Sequence, residues 1–251
     1  MKPYLFAAAL LLIFSSCTKH YYPSAMFQND VQYMSKPYSG DSVRHGTYVS
    51  GALLLTGNSG NIDDGASAGL LNIYQSYTLK NPNLNISYGV LGFAGNYRAG
   101  TDNTNISIDK NFYGLGVNFS MSPYINRGNV DWRIIGLDLT YTKEFGDYAA
   151  FRQRMLNTDK LTYYRKTDLF TYGLFTEAMV KVSPAVSLAF KIGLNNTPGQ
   201  KQYINGIPFN NVGFNANVGV RHFSFNLAYK FMPTDAALIL LGLQLGAAYR
   251  F

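Results

Sequence analysis

The stretch Ile239-Leu-Leu-Gly-Leu-Gln-Leu-Gly-Ala-Ala-Tyr-Arg-Phe251 decides the fold. Taken every second residue back from its end, Phe251, Tyr249, Ala247, Leu245, Leu243, Leu241 and Ile239 form one wholly apolar face. Arg250, Ala248, Gly246, Gln244 and Gly242 form the other, small or polar. Strand side chains point alternately to opposite sides, so this is one strand with an apolar side and a small or polar side. A water-soluble strand would bury the apolar side in a core. A strand in a membrane barrel would turn it to lipid.

The composition narrows the choice. The chain has 251 residues, 47% hydrophobic, 15% aromatic and only 14% charged, with 20 Tyr, 17 Phe and 24 Gly against one Trp. That usage favours strands. Beyond the N-terminus no run of about eighteen apolar residues occurs, so no helix is predicted to cross a membrane. A membrane β-barrel reconciles these facts, because its apolar residues are spread over alternate positions.

Gly246, Tyr249 and Phe251 place a glycine before aromatics at the third and fifth positions after it. This resembles the C-terminal recognition signal of outer-membrane β-barrels, with Leu245 standing where a polar residue is usual. The resemblance implies the cell outer membrane of a Gram-negative envelope, assembly by the barrel-assembly machinery, and contact with outer-membrane lipid and lipopolysaccharide.

The N-terminus carries a second resemblance. Lys2 is a short basic region and Tyr4 to Phe14 an apolar one, too short to span. Phe14-Ser-Ser-Cys17 follows, which resembles a bacterial lipoprotein cleavage box with Phe14 in place of the usual Leu. It implies a signal peptide over 1–16 and a palmitate-type lipid on Cys17. Cys17 is the only cysteine, so it forms no internal disulfide. Surface-directed lipoproteins of Bacteroidota tend to carry acids after the cysteine, and Thr18-Lys-His-Tyr-Tyr-Pro23 has none. Residues 17–45 are therefore expected as a lipidated tail on the periplasmic side, or a partial plug. The combination resembles outer-membrane barrel lipoproteins of Bacteroidota.

Residues 46–251 read as the barrel. Alternation predicts strands over 46–57, 67–79, from Leu84 to about 97, 110–121, 131–145, 168–182, 186–196, 209–220, 223–232 and 239–251. Tight turns fall at 80–83, 183–185 and 221–222, and longer polar connections follow the first, third, fifth and seventh strands; a medium connection after the fourth and a short one after the ninth fit the alternation less well. The expected fold is all-β: an antiparallel transmembrane β-barrel of about ten strands, with eight or twelve as neighbouring counts and the short turns periplasmic. The turns set the register, with Leu79 opposite Leu84, Ser76 opposite Ser87, Lys181 opposite Ser187 and Glu177 opposite Lys191. A soluble lipocalin-like barrel or sandwich is the rival. It would have to pack ten rows of Phe, Tyr and Leu inside one small barrel while Asn, Lys and Gly faced water. The apolar face is therefore expected in lipid.

Little chemistry is written in the chain. His20, His45 and His222 are all expected at the periplasmic end, away from any outer-rim Ser-His-acid constellation, so no enzyme is expected. No metal cluster, cofactor site or nucleic-acid motif is recognisable, and the expected covalent lipid is the only attached group. The expected inward charges are Asp138, Glu177, Lys181, Lys191, Lys230 and Arg250, with Glu177–Lys191 as a specific cross-strand pair. They suit either a compensated ion-pair network or a selectivity ring. Loop 146–167, with a short helix expected in 147–156, carries Arg152, Arg154, Lys160, Arg165 and Lys166, a candidate anion-binding loop for lipopolysaccharide phosphates. Three readings stay open: a structural or accessory barrel in a larger outer-membrane complex, a narrow porin-like pore for small solutes, and a loop-borne ligand binder.

Overall fold

The computed structural model describes residues 20–27, 31–57, 63–100, 107–158, 161–198, 211–233 and 238–251. In chain order these form β1 (His20–Tyr22), β2 (His45–Thr56), β3 (Asp63–Lys80), β4 (Asn83–Gly100), β5 (Ser107–Pro123), β6 (Ile125–Arg127) and β7 (Val130–Phe145). Then come α1 (Asp147–Arg154), β8 (Leu161–Tyr163), β9 (Asp168–Ser183), β10 (Val186–Asn196), β11 (Asn211–Val220), β12 (Phe223–Pro233) and β13 (Leu238–Arg250).

Ten antiparallel strands close a barrel in the order β2-β3-β4-β5-β7-β9-β10-β11-β12-β13, and β13 pairs back onto β2. Closure pairs the first and last barrel strands with each other, so neither is left as an open edge to lipid. β6 extends the β7 edge where β5 ends. The registers that the turns set are present: Leu79 faces Leu84, Ser76 faces Ser87, Lys181 faces Ser187 and Glu177 faces Lys191.

The connections define two ends. Residues 81–82, 124–129, 184–185 and 221–222 join strands at the turn end, where β2 begins and β13 finishes. Residues 57–62, 101–106, 146–167, 197–210 and 234–237 join them at the loop end. The strands reach further toward the loops than the sequence periods show, β4 to Gly100 and β5 from Ser107.

The outer face is apolar and open. Leu115 is 68% exposed, with Leu71, Val90, Val117, Phe190 and Ile192 also exposed, while Lys191 and Glu177 are buried. This inversion of a soluble fold is a surface suited to hydrocarbon. The inner face changes character along the axis. Toward the turn end it is polar, with Asn72, Ser76, Asn85, Ser87 and Ser120 buried. Toward the loop end it is an apolar core of Leu54, Leu70, Leu91, Phe93, Phe112 and Leu169. The sequence reading expects small or polar residues along the whole inner face. Leu91 and Phe93 share the inward row with Asn85 and Ser87, and they find apolar partners inside the lumen.

One strand changes phase. β7 and β9 slip register between Arg133 and Gly136, three residues on β7 against two from Phe175 to Glu177 on β9. That is a β-bulge, with one extra residue on β7. Ile134 and Ile135 consequently both face outward, and Asp131 and Arg133 turn into the lumen, fully buried.

Candidate functional site: the occupied lumen

The described residues from Tyr22 to Ser39 lie in the lumen, with their N-terminal end at the loops. β1 pairs in parallel with β8, which belongs to the connection between β7 and β9. The side chain of Tyr22 stacks on Tyr163 at 4.9 Å, and Tyr164 donates its backbone N–H to the Tyr22 carbonyl at 3.0 Å. Tyr148 of α1 donates its hydroxyl to the Pro23 carbonyl at 2.8 Å. The Ala25 amide donates to Glu144 at 2.9 Å, near the loop end of β7. Tyr22 and Met26 complete the apolar core described above.

Further along, the chain meets the middle and then the turn end of the wall. Lys230 donates to the Val31 carbonyl at 2.8 Å, and Tyr33 donates to Glu177 at 2.8 Å. The Ser35 amide donates to the Tyr74 hydroxyl at 2.8 Å, and the Ser35 hydroxyl meets that of Ser224 at 2.7 Å. Thr78 donates to the Pro37 carbonyl at 3.0 Å. Ser39 donates its amide and hydroxyl to Asp131 at 2.7 and 2.5 Å. Asp41 pairs with Lys181 at 2.5 Å, close to the 184–185 turn. As the segment runs from Ala25 to Ser39, its partner on β7 moves from Glu144 to Asp131, one end of the strand to the other. His20, expected at the turn end, belongs to β1, whose backbone lies at the loop end. His45 and His222 do lie at the turn end.

The lumen charges form compensated groups. Glu177 is the centre of one, with Lys36 at 2.6 Å and Arg133 at 3.6 Å. Asp138 and Lys191 form a second pair at 2.5 Å, with the Lys191 ammonium 3.9 Å from the Phe175 ring centroid. The expected Glu177–Lys191 ion pair is corrected: the two are opposite in register, yet each takes another partner. The reason is that Lys36 and Arg133 come closer to Glu177. One lies on the threaded segment and the other is turned inward by the bulge, and strand alternation shows neither. Arg250 lines a cavity of about 280 Å³ at the turn end, together with Lys36, Asp41, Lys181, Arg221 and His222.

The candidate anion loop is corrected in part. Arg152 is fully buried, pairs with Glu144 at 2.5 Å, donates to the Tyr164 and Lys166 carbonyls, and stacks on Tyr148. Its charge is committed inside the lid formed by α1 and β8, so it is not offered to an external anion. Arg154, Arg165 and Lys166 are exposed, and Arg165 donates to the Met155 carbonyl at 2.6 Å. Lys160 lies outside the described residues, as does Cys17. Burial raises the hydroxyl pKa of Tyr148 well above its usual value and raises those of Tyr163 and Tyr164. Among the described residues no group of His, Asp and Glu is placed to hold a metal.

The C-terminal signal residues sit at the barrel seam. Gly246 faces Ala52 of β2 and Asn226 of β12, where a Cβ would collide with the Asn226 side chain. Phe251 packs edge-on against Tyr249 at 4.9 Å, and Tyr249 against Phe223 at 5.0 Å, an aromatic cluster at the turn-end rim.

No protein-family model matches the chain, and no curated protein matches it at a significant level. Among solved structures it is similar to the β domain of the Bordetella autotransporter BrkA, at 11% identity, TM-score 0.46, and 82% of this chain over 99% of that one. It is similar to the translocator domain of the autotransporter NalP from Neisseria meningitidis, at 10% identity, TM-score 0.43, and 84% over 90%. It is also similar to the transport unit of the autotransporter AIDA-I from Escherichia coli, at 11% identity, TM-score 0.41, and 90% over 96%. At these values the likenesses say nothing of activity, ligand or partner.

Proposed function

We propose that this protein is an outer-membrane lipoprotein whose barrel is a filled scaffold with a structural or accessory role, and that it is not a solute pore. The apolar outer band and the C-terminal Gly246, Tyr249 and Phe251 support an outer-membrane seat, with short turns periplasmic and loops outside. Phe14-Ser-Ser-Cys17 supports a lipid on Cys17. One observation carries the functional choice: the lumen is occupied by the protein's own N-terminal segment, bound to the wall from Glu144 to Asp131. A conduction path needs water-filled space lined by groups that ions can use. Here Glu177, Asp138, Arg133 and Lys191 are buried and lie in ion pairs with one another or with the segment. The expected readout is silence in planar bilayers: folded full-length protein inserts and gives no steady single-channel steps. Reproducible steps from pure, folded protein would restore the pore reading. The ligand-binding reading is weakened by the commitment of Arg152 to Glu144.

A further inference from the structure

The threaded segment has a direction, and its contacts fix both ends. Its lower end reaches Lys181 through Asp41 beside the 184–185 turn, and continues into β2. Its upper end, β1, is paired to β8 at the loop end. Cys17 precedes His20 by three residues. Three residues, fully extended, reach at most about 11 Å. The hydrocarbon core of a bilayer is about 30 Å thick. A lipid on Cys17 therefore cannot reach the turn-end leaflet while Tyr22 stays stacked on Tyr163.

Resting on the lipoprotein and orientation readings above, we infer that the Cys17 acyl chains are seated in the outward leaflet, so that the protein is a surface-anchored lipoprotein threaded through its own barrel. The segment is then pinned at both ends, by the peptide chain into β2 below and by the lipid above. Its withdrawal toward the periplasm would drag acyl chains into a lumen filled by Leu54, Phe93, Phe112 and Leu169. Assembly must accordingly close β13 onto β2 around a segment already in place, because a lipidated end cannot be passed through the filled barrel afterwards. The ligand class is an outer-leaflet lipid surface, held by covalent acyl chains rather than by a pocket.

The test uses the full chain in a Gram-negative host, with Lys19→Cys and Leu156→Cys made singly and folding checked by heat-modifiable gel migration. Leu156 is 73% exposed in the connection after α1 and reports the side on which the loops lie. Cys17, once acylated, carries no free thiol, so the parent protein is the blank. Intact cells are treated with a membrane-impermeant maleimide, and labelled palmitate incorporation is read in the parent and in Cys17→Ala. The expected result is labelling of both cysteine variants on intact cells, with palmitate in the parent only. Labelling of Leu156→Cys alone, with Lys19→Cys reached only after permeabilisation, would overturn the inference while leaving the orientation standing. If Leu156→Cys also needs permeabilisation, the orientation fails and the surface anchor with it. Absence of palmitate from the parent would remove the lipid reading on which the inference rests.

Discussion

Glu177 shows what the filled lumen demands of a single residue. It is buried, and it serves Lys36, Arg133 and Tyr33 together. Breaking a buried ion group by removing one partner costs about 3–5 kcal/mol, because the remaining charges are left uncompensated. Glu177→Gln strands two cations, whereas Lys36→Met leaves Glu177 with Arg133 and puts an apolar stem beside Phe175, 4.8 Å from the Lys36 ammonium. Glu177→Gln is therefore expected to lower unfolding stability by about 3 kcal/mol or more, and Lys36→Met by clearly less. Denaturant unfolding of the two variants in detergent measures the order. Equal losses would show that the Lys36 contact, rather than the compensated group, sets the cost.

At the scale of elements, the lid is held by α1, β1 and β8, through Tyr148, Tyr163, Tyr164 and Arg152. Burial raises the pKa of all three hydroxyls, so docking favours the neutral phenols. The sign follows: the contribution is intact below the ordinary tyrosine value of about 10 and declines as pH rises above it, when the undocked lid ionises and the docked one cannot. A tyrosinate absorbance titration should show a delayed, cooperative step above that value. A single smooth titration centred on it would contradict the docked lid. Strand alternation made the barrel legible, since ten periods and the turns at 80–83, 183–185 and 221–222 set the strands and their registers. The bulge was harder. Its sequence signal is Ile134-Ile135 beside Asp131 and Arg133: strict alternation would turn both charges toward lipid, an unfavourable place for either. Two adjacent apolar residues outside and two charges inside need one extra residue, which the bulge supplies. The threaded segment had no period to read, because Ser, Tyr and Lys side chains there answer to wall residues far away in sequence, such as Ser224 and Glu177. The burial of Arg152 is hidden for the same reason: its partner Glu144 is a strand residue, and nothing in the loop's composition shows the pairing.

For the whole molecule, the barrel and its filling form one unit. The wall encloses an apolar upper core and a charged lower lumen, and the same N-terminal segment completes both. Small membrane barrels have interiors narrow enough for side chains to fill, and here a chain segment adds the rest. Ser35 and Ser224 give the most direct test, since their hydroxyls are 2.7 Å apart across 189 residues of sequence. A Ser35→Cys/Ser224→Cys protein should form an internal disulfide during folding, seen as linked peptides by mass spectrometry and abolished in either single variant. A fully folded barrel that keeps both thiols free, even under added oxidant, would show that the N-terminal segment does not occupy the lumen.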